Sequence, residues 1–372
     1  MNRNLHIVSF DVPYPADYGG VIDVLYKIKA LSKLGVSIHL HCFKYGREEQ
    51  KELLKYCSSV KYYSRKKGFY YLLHLQPYIV RTRVNKKLLR QLLKDDYPVL
   101  LEGLHFGWYI KQLNNNKKKV FIRAHNVEHN YYNQLSLAEK NKWKKIHFKL
   151  EAKKLKKFEN VVNDADGVFS ISESENIYFK NSYTKSTLVL PFHPHSQVKS
   201  IIGLGKYALY HGNLSVVENV KAVEFLINDV FEGLNLKLIV AGKNPCKVLR
   251  KLISNKENIT LVENPSENEL TELIQKAHTN VLPTFQSTGL KLKLLAALFL
   301  GRHCLVNNDM IAGVGVNQSI VLCNEASEWK ANLLKIKETP FTAELLSLRV
   351  KEVSTFSNEF NAMKIVENIF PN

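Results

Sequence analysis

Cysteine is sparse in this sequence and scattered. The five residues Cys42, Cys57, Cys246, Cys304 and Cys323 form no C-x-x-C pair, and no histidine stands at metal-site spacing from them. That pattern excludes a disulfide framework and a zinc knuckle, and fits reduced thiols acting as small apolar groups. Long apolar runs are missing as well: the longest, Leu292 to Leu300, is far short of the ~20 residues a membrane-spanning helix needs. No cationic start with an apolar stretch and cleavage site precedes the first strand-like run, Leu5 to Phe10, so no secretory signal is expected and the chain is expected in the cytoplasm. Internal repeats and low-complexity tracts are absent. Acid is the remaining shortage, with 34 Asp plus Glu against 53 Lys plus Arg and a net charge of +19.

The shortage is uneven. Residues 1–190 hold 34 basic and 17 acidic side chains, whereas residues 191–372 hold 19 and 17. The basic half contains Arg65-Lys66-Lys67, then GFYYLLHLQPYIV, then Arg81, Arg83, Lys86, Lys87 and Arg90, and later KWKKIHFKLEAKKLKKFE from Lys142 to Glu159. Lysines beside aromatics fit an anionic membrane surface, where each cation contributes about 1 kcal/mol and Phe, Tyr and Leu enter the headgroup layer. A basic face also binds phosphate backbones, but no helix-turn-helix, zinc-finger or RNP pattern accompanies it, so nucleic acid is not expected. Solvated helix faces give the same composition.

What is present is an alternation of strand-like runs with helix-length amphipathic segments, in 372 residues that suit two domains. The first half offers Leu5 to Phe10, Ser37 to Phe43, Val60 to Tyr63, Val99 to Glu102, Val120 to Ala124, Gly167 to Ile171 and Thr187 to Leu190. The second offers Tyr207 to His211, Leu236 to Ala241, Ile259 to Val262, Asn280 to Pro283, Arg302 to Val306 and Ser319 to Cys323. The expected fold is α/β, with two doubly wound Rossmann-like domains at residues 1–190 and 207–354 that face each other across a cleft. A Pro- and Gly-bearing linker is expected over 191–206, and a C-terminal helix over 355–372.

Several segments have the chemistry of a site. In NVLPTFQSTGLKLKLLAALFLG, from Asn280 to Gly301, a buried strand enters a polar turn and then a helix with Lys291 and Lys293 on its first turns. Unpaired N–H groups and the positive end of the dipole favour an anion there, although ordinary strand–turn–helix units look alike. Gly19 and Gly20 end the loop after the first strand, where a glycine pair permits close backbone approach. Arg123, His125, Asn126 and Glu128 stand at the end of another strand, and ALYHGNLSVVENVKAVEFLI puts Gly212 and Asn213 in a third strand–turn–helix. His125 to His129 fits H-x-x-E-H, but directly after a strand it lacks the helix that zinc-protease chemistry requires. Asp164-Ala165-Asp166 imitates a metal-binding D-x-D and leads into a strand, so no metal is expected.

Taken in order, YPADYGG, RAHNVEHNYY, DADGVFSIS, YHGNLS, VAGKNP and STGLKLKLLAALFLGRHCLVNN resemble the GT-B glycosyltransferases, in particular the large retaining family (glycosyltransferase family 4-like) that includes bacterial mannosyltransferases. The resemblance covers essentially the whole chain. It implies an N-terminal acceptor domain, a C-terminal nucleotide-sugar domain and a last helix that returns to the first domain. It also implies that Gly19 and Gly20 face the donor diphosphate and that His125 hydrogen-bonds the donor sugar. Gly212 and Asn213 would flank the diphosphate, and Ser287, Thr288, Gly289 and Lys291 would bind it. Arg123, Asn126 and Glu128 would be sugar or acceptor contacts. The activity implied is metal-independent hexosyl transfer from a nucleotide-diphosphate sugar, with no other cofactor, to a lipid-linked or polysaccharide acceptor, with retention.

The chain departs from the family where two glutamates often stand eight residues apart, for these positions are Thr288 and Ala296. Basic residues usual in the second domain's first loop are Asn213 and Asn219 here. Lys291 and Lys293 would then carry the phosphate charge, with Lys293 expected to face away on the helix. A non-catalytic GT-B protein serving as partner or regulator of a true transferase is the alternative.

Overall fold

Thirteen parallel strands form two sheets in the computed structural model, which describes residues 3–183, 185–285, 291–312 and 314–371. The chain divides into two compact units, Met1–Pro194 with Phe356–Asn372, and His195–Thr355. Unit 1 contains β1 (Arg3–Ser9), β2 (Val36–Lys44), β3 (Ser59–Ser64), β4 (Val99–Glu102), β5 (Val120–Ala124), β6 (Gly167–Ser170) and β7 (Ser186–Leu188), in the order β3-β2-β1-β4-β5-β6-β7. Unit 2 contains β8 (Ala208–Asn213), β9 (Leu238–Lys243), β10 (Ile259–Glu263), β11 (Thr279–Leu282), β12 (His303–Val306) and β13 (Val321–Leu322), in the order β10-β9-β8-β11-β12-β13. In each sheet the strand order reverses once, between β1 and β4 and between β8 and β11. The crevice at the carboxyl ends of such a pair is where this topology holds ligands. The two doubly wound sheets expected from the sequence are therefore present.

The strands of unit 1 are buried on both faces, as a parallel sheet requires. Leu5, Ile7, Ile38, Leu40 and Leu100 point to one core layer, with Val24, Ile28 and Phe192. Val8, Val99, Leu101 and Ile122 point to the other, with Phe106, Ile110 and Leu155. The helix Asn358–Ile369 buries Ala362, Ile365, Val366 and Ile369 in the first layer, alongside the helix Gly19–Lys33. Burying each such aliphatic side chain contributes about 1.5–3 kcal/mol, enough to hold the C-terminal segment in unit 1.

The segment 191–206 is less a free linker than its composition suggests. Phe192 is fully buried in unit 1, its N–H donates to Asp23 at 2.9 Å, and Asn358 brackets His193 through both backbone groups. Further on, Lys199 N–H donates to the Phe299 carbonyl at 2.6 Å and Gly205 N–H to His278 at 3.0 Å, both inside unit 2. Gly205 is there for contact: a Cβ would lie 2.4 Å from the His278 backbone nitrogen.

In unit 2 the helix Leu292–Leu300 is buried along Leu294, Leu295, Ala297 and Leu298. Its far end is held by Arg349, which donates to the carbonyls of Leu298 (3.0 Å), Arg302 (2.9 Å) and Ser319 (2.8 Å). A guanidinium on the negative end of the dipole fixes the helix axially, and with it the position of its first turn.

Candidate functional site

In unit 1 the crevice between β1 and β4 is built on a buried charge network. Asp23 and Lys27 lie one turn apart on the helix Gly19–Lys33, and Lys27 Nζ reaches Asp23 Oδ2 at 3.0 Å and Glu102 Oε1 at 2.8 Å. Arg123, at the end of β5, donates from Nη2 to Asp23 Oδ1 at 2.7 Å and from Nε to Oδ2 at 3.1 Å. Its remaining donors go to the Val189 and Leu190 carbonyls. Burial pushes the Asp23 and Glu102 carboxyls upward, but Arg123 and Lys27 at Asp23, and Lys27 and His125 at Glu102, outweigh it and hold both below the usual carboxylate range. Two cations thus balance two carboxylates in a dry interior.

His125 sits on top of this network. Its Nε2 is 2.9 Å from Glu102 Oε2, and the edge of the ring meets Phe10 with centroids 5.4 Å apart. With Glu102 ionised, Nε2 is the donor, so a neutral ring presents Nδ1 as an acceptor. The side chain keeps a small exposed area, whereas Arg123 has none. Arg123, expected from the resemblance as a sugar or acceptor contact, is buried with its donors on Asp23, Val189 and Leu190. Glu128 was expected as a contact of the same kind. It is buried at the start of the helix Glu128–Ala138, 3.9 Å from His105 Nδ1, and burial pushes its carboxyl up to about 8. Asn126 stays half-buried beside them.

Gly19 and Gly20 open the helix Gly19–Lys33, whose N-cap residue, Tyr18, supplies no side-chain cap. A Cβ on Gly20 would stand 2.7 Å from the Phe10 ring, so glycine lets the helix start approach the end of β1. The loop before it is braced by Asp11, which accepts from its neighbour Val12 N–H at 2.8 Å and from the Tyr18 hydroxyl at 2.9 Å.

The two histidines of the H-x-x-E-H pattern point to different partners. His129 Nδ1 lies 3.4 Å from Glu159, and His125 is held by Glu102. Among the described residues, Asp23, Glu102 and His125 bring three ligand atoms within 4.8 Å of one another. Both carboxylates already serve Lys27 and Arg123, whose charges oppose a cation at that place.

In unit 2 the crevice between β8 and β11 centres on Asn219, on the first turn of the helix Val217–Phe225. Its Nδ2 donates to the Asn213 carbonyl at 2.9 Å, while its Oδ1 accepts from the Tyr210 hydroxyl at 3.0 Å and from Lys293 Nζ at 2.7 Å. Lys293 also lies 4.8 Å from the Tyr210 ring centroid. Burial, reinforced by the Lys291 charge, pushes the Lys293 ammonium down to about 7. Among the described residues no carboxylate pairs with it. Lys293 was expected to face away, but the helix starts late enough that its second residue points to the Gly212 loop. Lys291 is the N-cap residue and gives no side-chain cap.

Glycines shape the loop. Gly212 carries no side chain because the Asn219 amide lies 3.2 Å from where its Cβ would be, and a Cβ on Gly242 would sit 1.9 Å from the Gly212 carbonyl oxygen. Asn213 closes the turn by accepting from the Ser215 N–H and hydroxyl. On the β11 side, Asn307 accepts from Thr284 N–H at 3.1 Å and donates to its carbonyl at 2.6 Å, which fixes the exit of the strand. Ser287, Thr288 and Gly289, expected to bind phosphate, lie outside the described residues.

Sequence reasoning missed Asp23, Lys27, Glu102 and Asn307 and underrated Lys293. The first three left a trace: an Asp and a Lys four residues apart on the buried side of a helix, and an acid ending the apolar run VLLE.

Residues 205–338 match the family Glycosyl transferases group 1. A Klebsiella pneumoniae protein described as an uncharacterized 44.6 kDa protein in cps region is 26% identical over 392 aligned positions, covering 98% of each chain. Similar solved structures include OtsA in its apo form (TM-score 0.65, 9% identical, 99% of each chain) and trehalose-6-phosphate from E. coli bound with UDP-2-fluoro glucose (TM-score 0.62, 10% identical, 99% of each chain). Arabidopsis thaliana UGT89C1 complexed with UDP has a TM-score of 0.60 at 13% identity, over 98% of this chain and 99% of that one. At these identities the structural likeness establishes the fold. The chain has the GT-B fold of two Rossmann-like units, its second unit matches the group 1 glycosyl transferases, and together these support a nucleotide-sugar glycosyltransferase.

Proposed function

We propose that the protein moves a hexose from a nucleotide-diphosphate sugar to a lipid-linked or polysaccharide acceptor in the cytoplasm, with retention at the anomeric carbon and no metal ion. The observation that carries this reading is the Lys293 ammonium, half-buried at the β8–β11 crevice against two neutral partners. A buried charge without a counter-ion is costly, and a diphosphate supplies one. As the glycosidic bond breaks, negative charge grows on the departing diphosphate, where fixed N–H groups of the helix start, Lys291 and Lys293 stabilise it without reorganisation.

His125, oriented by Glu102, offers Nδ1 to a sugar hydroxyl. Gly19 and Gly20 present the uncapped amides of the first helix to an anionic group. A front-face retaining mechanism needs no protein nucleophile, so the engagement of Asp23 and Glu102 by cations is compatible with it. The acceptor hydroxyl then attacks from the face the diphosphate leaves, and its proton passes to a diphosphate oxygen. A polysaccharide or lipid-linked acceptor is supported by the relative from a cps region.

Calorimetric titration of UDP- and GDP-sugars into wild type, Lys293→Met and Lys291→Ala tests the donor site. Loss of a charge-assisted phosphate contact weakens binding by about 10- to 100-fold. Equal affinity in all three proteins removes the phosphate role.

A further inference from the structure

The largest exposed apolar side chains of unit 1 are concentrated on two segments. Phe69, Leu73 and Leu75 are 86%, 87% and 92% exposed on one short stretch, and Trp143 is 83% exposed near the start of the helix Lys142–Phe158, followed by exposed Ile146 and Leu150. Residues 143, 146, 150, 153 and 157 are spaced by three and four, so Trp143, Ile146, Leu150, Lys153 and Lys157 share one stripe of that helix. The two segments are joined. Lys154 Nζ donates to the Leu72 carbonyl at 2.8 Å, and Glu151 accepts from Tyr78 N–H at 2.7 Å.

Where they meet lies a groove of about 720 Å³, lined by Leu75, Trp108, Lys111, Lys153, Lys157 and Phe158 among others. Its walls are apolar and its rim is cationic. The helix carries eight lysines and a single carboxylate, Glu151, which is buried, and residues 65–93 carry eight Lys or Arg and no acid. Lys111 stands 3.9 Å from Asp164 and Lys154 pairs with Glu151, so cations still outnumber acids, and a surface that combines exposed aromatic and aliphatic side chains with an excess of lysines matches the chemistry of an anionic bilayer: phosphates outside, hydrocarbon beneath.

We propose that this face of unit 1 docks on an anionic phospholipid membrane. Phe69, Leu73, Leu75 and Trp143 enter the headgroup layer, and the groove seats a lipid phosphate between Lys111, Lys153 and Lys157. The inference rests on surface chemistry alone and is independent of donor binding.

Sedimentation of the full chain with phosphatidylglycerol-rich vesicles and with pure phosphatidylcholine vesicles tests it. Wild type pellets with the first and stays in solution with the second. Lys153→Gln combined with Lys157→Gln weakens partition about 30-fold, from about fivefold per lysine. Leu75→Ala combined with Trp143→Ala weakens it at least about tenfold. All four side chains lie on the surface, so an unchanged unfolding temperature verifies that the variants are folded. In a second measurement, lipids brominated in the acyl chain quench Trp143 fluorescence, and the loss of that quenching in Trp143→Phe supports insertion. Failure to pellet with phosphatidylglycerol overturns the proposal. So does equal pelleting of wild type and both double variants, and so does lysine-dependent retention by duplex DNA without vesicle binding, which would assign the face to nucleic acid.

Discussion

Replacing Lys293 with methionine removes a half-buried charge and keeps most of the apolar stem. In the unliganded protein the ammonium touches the Tyr210 hydroxyl and the Asn219 carbonyl oxygen, and burial with the Lys291 charge lowers it from 10.5 to about 7. The folded state then binds fewer protons than the unfolded state between those values. Stability therefore rises as pH climbs from about 7 toward 10, and the penalty of the buried charge is fully present below about 7. That depression corresponds to a penalty on the order of 5 kcal/mol. Lys293→Met should raise the unfolding midpoint near neutral pH and flatten its alkaline slope. Bound diphosphate reverses the preference, because it favours the ammonium. Near pH 8 only about a tenth of the free protein carries that proton, so donor binding takes up about 0.9 proton, and affinity falls about tenfold per pH unit above 7. Calorimetry in two buffers of different ionisation heat measures the uptake. Equal uptake by wild type and Lys293→Met, or unliganded stability indifferent to pH in this range, refutes the assignment.

Glu102→Gln leaves Lys27 with one carboxylate and His125 without its anchor, and should cost about 3–5 kcal/mol in chemical denaturation; a loss under about 1 kcal/mol contradicts the network. Gly242→Ala places a methyl against the Gly212 carbonyl, so thermal unfolding should show a loss of about 1–3 kcal/mol and donor binding should weaken with it. Glu128 is raised by burial to about 8, so its ionisation opposes folding and stability should fall as pH rises from about 4.5 through 8; Glu128→Gln should abolish that slope in a pH series of urea midpoints. Ala296→Glu puts a carboxylate one helical turn beyond Lys293, and donor affinity should rise by roughly 1.5–3 kcal/mol if the new group reaches the ribose. A non-catalytic protein would show no gain.

The sheets were legible because parallel strands buried on both faces must be apolar throughout. IVSF, VLLE, LIVAG and NVLP announce themselves without any periodicity, and each observed strand begins and ends within two residues of its expected bounds. The switch points follow from strand order and could not be read locally. The boundary between the units falls inside 191–206, as the proline and glycine content suggests, but Phe192 and Gly205 within that segment are packing residues whose partners Asp23 and His278 stand 169 and 73 positions away.

The sites were harder for a physical reason: each depends on which polar group enters which buried space. Arg123 reads from sequence as a strand-end cation ready for ligand, yet Asp23, a hundred residues earlier, absorbs its charge. Lys293 reads as one of two lysines on a helix, and on a wheel it turns from the turn it follows. Its ammonium instead crosses to Asn219, where a basic residue would otherwise have stood, and it finds there an amide oxygen in place of a carboxylate. That pairing explains both departures together. Asn219 need not be cationic if Lys293 brings the charge to the same loop, and among the described residues no carboxylate compensates Lys293. The test of the site is therefore the proton that accompanies the ligand, and a residue-by-residue match to a motif is the weaker guide.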